Sequence, residues 1–501
     1  MSKSHRRPGA NSVLRMGWVA LAVVLQAAWL VVLNVRLNKY SEIIAMATSL
    51  VAVVVVLKLY SGHTTADLKL PWIMLLLVFP VMGLTLYLLV LMLGAPKATP
   101  KRLAKIRSAM PPAQPCSIPA GMEWARALAD GGSRVYDGTQ TEYFPEAADA
   151  FRRMKEDLNK AERFIFMEYF IVEDGEAFRE LEEILMRKAG EGVEVRLMYD
   201  DIGSAFVSGF SLVKRLNRGG INCRVFNPAL PVLNPFMNHR DHRKITVIDG
   251  RVGYTGGFNL AGEYFGYTTP HGHWKDTGLR LEGRGVGGLT GTFLELWNLT
   301  TRQTLGTEQY LNICHTCPDD GWVLPFGDDP LGEQRRTEDL YLNLIGRAKE
   351  RIWFVTPYLI ITGELTRALG LAAKRGVDVR IITPGIPDKK TVYQVTRSYY
   401  GGLARNGVRI FEYSPGFCHA KMCICDADTA VVGTSNLDFR SLYHHFENNV
   451  ILHRNSAVAQ VAADFVGMFP QCREVTVHYA DRRRSALRIW QCILRLFAPM
   501  M

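Results

Sequence analysis

The chain has 501 residues, 48% of them hydrophobic and 21% charged, with a formal net charge of +11. That length leaves room for about three domains of ~150 residues and excludes a disordered chain, a disulfide-stapled miniprotein or a collagen-like polymer. Taken alone, the charge would put nucleic acid among the partners. It is one-sided, however: residues 1–110 carry 13 Lys/Arg against only Glu42 and Asp67, while 111–501 carry 46 basic and 46 acidic residues.

The basic end also holds the apolar runs. Residues 16–35 give 20 residues interrupted by Gln26 and Asn34, residues 43–57 give 15, and residues 71–93 give 23 with Pro80 inside. At ~1.5 Å per residue the first and third suffice for a ~30 Å hydrocarbon core, and the second is marginal. No small-residue cleavage pattern ends the first run, so a retained anchor is expected rather than a signal peptide. Lys3, Arg6, Arg7 and Arg15 precede the runs, and Lys97, Lys101, Arg102, Lys105 and Arg107 follow them. Placing both clusters on the cytoplasmic side requires an even number of crossings. The expectation is a cytoplasmic body, with one run short or re-entrant. Residues 95–121 then read as a proline-rich, basic, extended linker, with prolines at 96, 100, 111, 112, 115 and 119.

From residue 122 the chain repeats itself. Ala161-Glu162-Arg163-Phe164-Ile165-Phe166 is answered by Ala348-Lys349-Glu350-Arg351-Ile352-Trp353, each a helix end running into a buried strand. Gly192-Val193-Glu194-Val195-Arg196 is answered by Gly376-Val377-Asp378-Val379-Arg380. Strand, helix and strand at ~30 residues form a βαβ unit, so two α/β halves are expected at 122–330 and 331–481, each with a largely parallel sheet.

Each half then delivers its most unusual segment. His242, Lys244, Asp249, Gly256 and Asn259 stand in the pattern H-x-K-x4-D-x6-G-x-x-N, and His419, Lys421, Asp426, Gly433 and Asn436 repeat it 177 residues later. One HxK is commonplace; two complete copies at the same point of two repeats are not chance. In an extended strand residues i and i+2 share a face, so each histidine presents with its lysine. The glycines let backbone approach an anion, and the asparagines supply amide donors. Two such edges facing one another surround one tetrahedral centre with imidazoles, ammonium groups and amides. This is equipment for phosphoryl transfer through a covalent histidine intermediate.

These paired motifs resemble the phospholipase D superfamily, and more closely its bacterial cardiolipin synthases. Supporting stretches are Glu168-Tyr169-Phe170-Ile171, Asn238-His239-Arg240-Asp241-His242, Trp274-Lys275-Asp276, Thr356-Pro357-Tyr358 and Gly433-Thr434-Ser435-Asn436. The resemblance implies transmembrane helices followed by two tandem α/β domains with the site at their interface, in a multi-pass protein of the bacterial cell membrane. It implies transfer between two phosphatidylglycerols giving cardiolipin and glycerol, with no cofactor and no metal. By that analogy His242 is the nucleophile and His419 the acid/base. Lys244, Lys421, Asn259 and Asn436 would neutralise phosphoryl charge, and Asp249 and Asp426 would orient and hold the site. For Glu168, Tyr358 and Glu447 packing weighs as heavily as substrate contact. The chain departs from the family in having three apolar runs where two are usual, and in Cys418, Cys423 and Cys425 where aliphatic residues are usual.

At the carboxyl end Arg484, Arg488, Gln491 and Arg495 form one polar stripe on an otherwise apolar helix over 482–501. It reads as an interfacial helix drawn to anionic lipid, or as a helix packed on the body by its apolar side. The nine cysteines show no framework spacing, and free thiols are expected. Two other functions use the same motifs or none: a hydrolytic phospholipase D or nuclease, and a non-catalytic membrane scaffold. Residues 111–481 hold 41 basic against 46 acidic residues, which disfavours a nucleic-acid groove. Two undamaged motifs disfavour a scaffold.

Overall fold

The computed structural model describes residues 42–62, 64–93, 98–110, 118–205, 210–229, 238–303, 306–311, 315–332 and 334–481, with scattered positions elsewhere. Two mixed sheets dominate it. The first uses β1 (Thr139–Phe144), β2 (Phe164–Tyr169), β3 (Glu194–Asp200), β4 (Asn222–Phe226), β5 (Lys244–Ile248) and β6 (Val252–Gly256). A short β7 (His273–Lys275) leaves it and β8 (Gly278–Gly283) returns, giving the order β1-β8-β6-β5-β2-β3-β4. The second sheet begins with β9 (Trp322–Asp328) and β10 (Arg351–Val355); β11 (Leu359–Ile360) lies outside it. It continues with β12 (Asp378–Pro384) and β13 (Arg409–Tyr413), then after β14 (Gly416–Cys418) with β15 (Met422–Cys425) and β16 (Thr429–Gly433). Past β17 (Leu437–Asp438) come β18 (Glu447–His453) and β19 (Cys472–Glu474), and the order is β19-β13-β12-β10-β15-β16-β18-β9.

The expected largely parallel sheet is corrected here. Only β2-β3-β4 and β10-β12-β13 run parallel, through the predicted βαβ crossovers; every other neighbour in the two sheets is antiparallel. The cause is local. Asp249-Gly250 sits in a turn with φ 55° and 68°, closed by the Arg251 N–H donating to the Ile248 carbonyl, and such a turn folds β5 onto β6 as a hairpin. Asp426, φ 53°, does the same between β15 and β16.

Strand alternation then sorts side chains into layers. Phe164 and Phe166 of β2 and Ile245 and Val247 of β5 face a central core, which they share with Trp353 and Val355 of β10 and with Met422 and Ile424 of β15. Two helices, Val286–Thr301 and Ser456–Met468, fill that core between the sheets. Ile165 and Met167 turn outward to helices Ala147–Asn159 and Glu176–Gly190. Ile352 and Phe354 turn outward to helices Arg336–Arg347, Gly363–Lys374 and Lys390–Ala404. The two halves therefore share one buried core.

That sharing moves the expected boundary. β9 pairs with β18, so residues before 330 already belong to the second sheet, and Met122, Ala125, Leu128 and Val135 pack into the second half's outer core. Nor is 95–121 all extended. Ala98–Ala109 is a helix whose Leu103 and Ile106 are buried, and Arg107 pairs with Glu295 at 2.7 Å and Asp329 at 2.7 Å. Pro100 falls in its first turn, where a missing N–H costs no bond. The six cysteines of the described residues, including Cys418, Cys423 and Cys425, are free thiols.

Among the described residues no helix is long and apolar enough to cross a membrane. Glu42–Ser61 spans 20 residues with Lys58 in its last turn. The 71–93 run is broken: Phe79, with φ −131° and ψ 72°, separates helices Ala66–Val78 and Pro80–Leu93. Proline disfavours a helical residue before it, so the break falls where Pro80 dictates. The two helices double back, with the Trp72 and Tyr87 rings 5.6 Å apart and Gly83 so close that a Cβ would lie 2.8 Å from the Leu75 carbonyl oxygen. The first turn of helix Ala66–Val78 touches the body, where Gly363 N–H donates to Asp67 Oδ2 at 3.0 Å. Most of the predicted tail helix lies outside the described residues; Leu494 and Ala498 are buried against the second half, and Arg495 lies 4.0 Å over the Tyr399 ring.

The third residue of each motif is a clamp at the strand end remote from its histidine. Asp249 accepts from the backbone N–H groups of Glu162 (2.9 Å), Arg163 (2.8 Å) and Phe164 (2.9 Å). Asp426 accepts from Lys349 (3.1 Å), Glu350 (2.8 Å) and Arg351 (3.1 Å). These two aspartates thus fix where β2 and β10 begin. Asp249→Ala strands three donors, at about 1–3 kcal/mol for each one left buried and unpaired. A lower denaturation midpoint with turnover of the folded fraction retained is expected; an unchanged midpoint with activity abolished would put the carboxylate in the chemistry.

Candidate active site

The two motifs meet where the halves touch, and the contact is built from backbone first. His242 N–H donates to the Phe446 carbonyl at 2.9 Å, and Phe446 N–H donates to the Arg240 carbonyl at 2.9 Å. On the other side β14 pairs in parallel with β7, and His419 N–H donates to the Lys275 carbonyl at 2.7 Å. Each motif histidine is thus pinned to the opposite half before its side chain is considered.

The side chains repeat the exchange. His242 Nδ1 lies 2.9 Å from Glu447 Oε1, and His419 Nδ1 lies 2.7 Å from Asp276 Oδ2. Glu447 belongs to the second half and Asp276 to the first. An ionised carboxylate only accepts, so Nδ1 of His242 carries the proton and Nε2 presents a lone pair. Thr434 Oγ1 donates to Glu447 Oε2 and holds that carboxylate still. Both imidazoles are over nine-tenths buried, at 6% and 7% exposure.

The lysines lie beneath them. Lys244 Nζ donates to the His242 carbonyl at 2.7 Å. Lys421 Nζ lies 2.7 Å from His419 Nδ1 and also bonds the His419 carbonyl. Burial pulls the Lys244 ammonium down to about 7 and Lys421 down to about 8. Burial, and then the two lysine charges, hold both histidines well below the usual imidazole range. Burial pushes Asp276 up to about 7, against the pull of Lys421. The site is therefore a buried pocket in which two lysines stand beside two imidazoles, suited to an anion.

The asparagines are placed by the same turns. Asn259 accepts from Ile171 N–H at 3.1 Å and donates to Tyr264 OH at 2.8 Å. Asn436 donates to Asp438 Oδ2 at 3.0 Å, and its own Oδ1 is buried without a partner. Aromatic rings wall the pocket: Phe170 is 5.1 Å from His242, and Tyr264 and Phe417 are 5.3 and 5.8 Å from His419.

Of the predicted residues, the structure gathers His242, His419, Lys244 and Lys421 into one pocket and sends Asp249 and Asp426 to the strand ends. Glu447, weighed as packing, is the partner of His242. Asp276, noted only within a stretch, is the partner of His419. His445, its ring 5.4 Å from that of His242, was not singled out, and Trp274, 5.8 Å from His419, was noted only within the same stretch as Asp276. A signal was present: Trp274 and His445 each stand two residues before the orienting acid, at the same place in the two repeats. Glu168 is wholly buried beside Asp241, with Arg243 Nη1 3.9 Å from its Oε1, and burial pushes its carboxyl well up.

Two crossed histidine–carboxylate pairs over two buried lysines, on two α/β halves sharing one core, define an enzyme with tandem phospholipase D-like domains. The family model described as "Cardiolipin synthase, PLD-like domain" matches residues 154–269 and 341–469, once on each half, and that described as "Phospholipase_D-nuclease N-terminal" matches 47–90. A cardiolipin synthase of Halalkalibacterium halodurans is 33% identical over 483 residues, 92% of this chain and 94% of that protein. An uncharacterized protein of Streptococcus mutans is 41% identical over 371 residues, 74% of this chain and 80% of that one. The fold is similar to a phosphatidylserine synthase of Haemophilus influenzae, with a TM-score of 0.55 at 14% identity over 72% of this chain and 93% of that one. The chain belongs to the cardiolipin synthase family, whose members are phosphatidyltransferases.

The lysine values give a pH test. As pH rises through about 7 to 8, the ligand-free pocket loses its ammonium charges, while a bound phosphodiester favours the charged form and restores them. The falling limb of kcat/KM should lie near pH 7–8 and that of kcat at higher pH; coincident limbs near pH 10 would overturn the buried-lysine account. The linked effect on stability has the opposite sign. Between the folded value near 7 and the usual 10.5, the unfolded chain binds a proton that the fold does not, so stability rises with pH.

Proposed function

We propose that the chain is a cardiolipin synthase that transfers a phosphatidyl group between two phosphatidylglycerol molecules and releases glycerol. The observation that carries this reading is the crossed pairing of His242 with Glu447 and His419 with Asp276 around two buried lysines. In the first step His242 Nε2 attacks phosphorus, the P–O bond to glycerol breaks, and His419 gives the departing oxygen its proton. In the second, a hydroxyl of another phosphatidylglycerol attacks the phosphohistidine, His419 takes that proton, and the P–N bond breaks. Protons and bonds balance, and no co-reactant is consumed.

The two half-sites differ in a way that favours this order. His242 Nδ1 faces a carboxylate alone, which fixes one tautomer and leaves a standing lone pair for attack. His419 Nδ1 is shared between Lys421 and an Asp276 whose carboxyl titrates near neutrality, and a mobile proton suits an acid/base. Lys244 and Lys421 offset the charge that grows on the equatorial oxygens. A hydrolytic phospholipase D would use the same groups with water as acceptor.

We assign the amino-terminal region to membrane anchoring. Its support is the family match over 47–90, the basic flanks, and apolar side chains exposed along the helices, among them Met46, Leu50, Val54, Leu77, Leu88 and Met92. The helix pair turning at Phe79–Pro80 has the form of a re-entrant hairpin. With it, an even number of crossings by the remaining apolar runs puts both basic clusters and the body on the cytoplasmic side.

Full-length protein in phosphatidylglycerol vesicles should yield cardiolipin and equimolar glycerol. His242→Ala should lower this by at least about 10³-fold, as loss of a nucleophile does. Phosphatidic acid as the sole product would replace the transfer reading with hydrolysis. Reporter enzymes active only on one side of the membrane, fused after residue 107 and before residue 16, should both report the cytoplasmic side; opposite sides would exclude the hairpin.

A further inference from the structure

The acid/base histidine has a second polar cluster beside it that transfer chemistry has not yet used. Tyr358 OH donates to Asp388 Oδ2 at 2.6 Å. Lys389 Nζ donates to the same oxygen at 2.9 Å and to Tyr358 OH at 3.0 Å. Both bonds to the carboxylate converge on Oδ2, and Asp388 Oδ1 is buried with no hydrogen-bond partner. The Phe417 ring links this cluster to the chemistry, standing 6.4 Å from Tyr358 and 5.8 Å from His419. Lys389 is 63% exposed and lies 5.2 Å over the Tyr358 ring, a flexible cover on an otherwise buried carboxylate.

We propose that Asp388, with Tyr358 and Lys389, is the subsite for the glycerol hydroxyl groups handled at His419. This rests on the transfer reading and adds what separates a transferase from a hydrolase, the recognition of an alcohol in place of water. A carboxylate already paired with one ammonium carries little net charge, so it suits a neutral polyol and repels a second phosphate. An unpartnered carboxylate oxygen calls for a hydroxyl donor, and Lys389 can give a hydrogen bond to the hydroxyl oxygen in return. The hydroxyl that reacts is then held at His419 while its neighbour is held at Oδ1 once Lys389 swings aside. The same subsite serves the departing glycerol and the incoming headgroup, because His419 serves both.

The test is product partition in phosphatidylglycerol vesicles, comparing wild type with Asp388→Asn and with Lys389→Met at an exposed position. Asp388→Asn should lower the cardiolipin-to-phosphatidic acid ratio by about tenfold or more, since a site built for a hydroxyl discriminates through that bond. Lys389→Met should move the ratio the same way by a smaller factor. Added glycerol, which reverses the reaction on cardiolipin, should saturate at about tenfold higher concentration in Asp388→Asn. An unmoved ratio, or both products falling together with a lowered denaturation midpoint, assigns Asp388 to the fold and overturns the subsite. If wild type makes phosphatidic acid alone, the transfer reading itself falls, which is a different outcome from an unmoved ratio in a variant of an active synthase.

Discussion

Each half of this enzyme owns a histidine and lends its carboxylate to the other. The crossing of His242–Glu447 with His419–Asp276 is the constraint on which the remaining architecture depends. An imidazole whose tautomer must be fixed needs a rigid acceptor at one nitrogen. Here that acceptor lies 205 residues away in one case and 143 in the other. Neither half can therefore form a competent histidine alone. The backbone bonds from His242 to Phe446 and from His419 to Lys275 make the exchange rigid, and the helices Val286–Thr301 and Ser456–Met468 hold both sheets against one core so that it persists.

Enclosing two lysines and two histidines away from water is expensive, and the pocket shows how the expense is handled. The imidazoles stay neutral, the ammonium groups titrate near neutrality, and the carboxylates stand behind the imidazoles rather than in front of them. The resulting field is incomplete until an anion enters. A phosphodiester supplies the missing charge and is bound in proportion to the repulsion it relieves. Binding and the activation of the two lysines are thus one event, and a pocket of this kind stabilises a pentacoordinate phosphorus more than a ground-state ester because the charge on the equatorial oxygens grows.

Much of this was legible in the chain, and the omissions share a cause. The repeated His-x-Lys spacing located the site because strand geometry puts i and i+2 on one face. The clamp role of Asp249 was readable in part, since Asp-Gly between two apolar strands marks a hairpin turn and a holding role was the one expected of this residue. Glu447 and Asp276 escaped because their partners lie across the interface, and no local pattern encodes a contact between repeats. The parallel sheet was overcalled from two genuine βαβ crossovers, which say nothing about the hairpins added after them. The boundary at 330 failed for a related reason: β9 looks like the end of the first half in sequence but completes the second sheet in space. Prolines made 95–121 read as extended, although Pro100 at a helix start is no obstacle and Leu103 and Ile106 bury a helical face.

The net charge misleads in the same way when read as one number. The +11 is carried by the ends, and residues 111–481 are negative by five, yet that acidic body encloses two lysines beside the motif histidines. A surface of that sign does not attract a polyanionic strand along its length. It suits instead a single phosphodiester that enters the buried pocket. Helix Ala98–Ala109 ties the two arrangements together: Arg107, the last of the basic cluster that follows the apolar runs, turns inward to Glu295 and Asp329. That helix is thereby bolted to the core between the sheets.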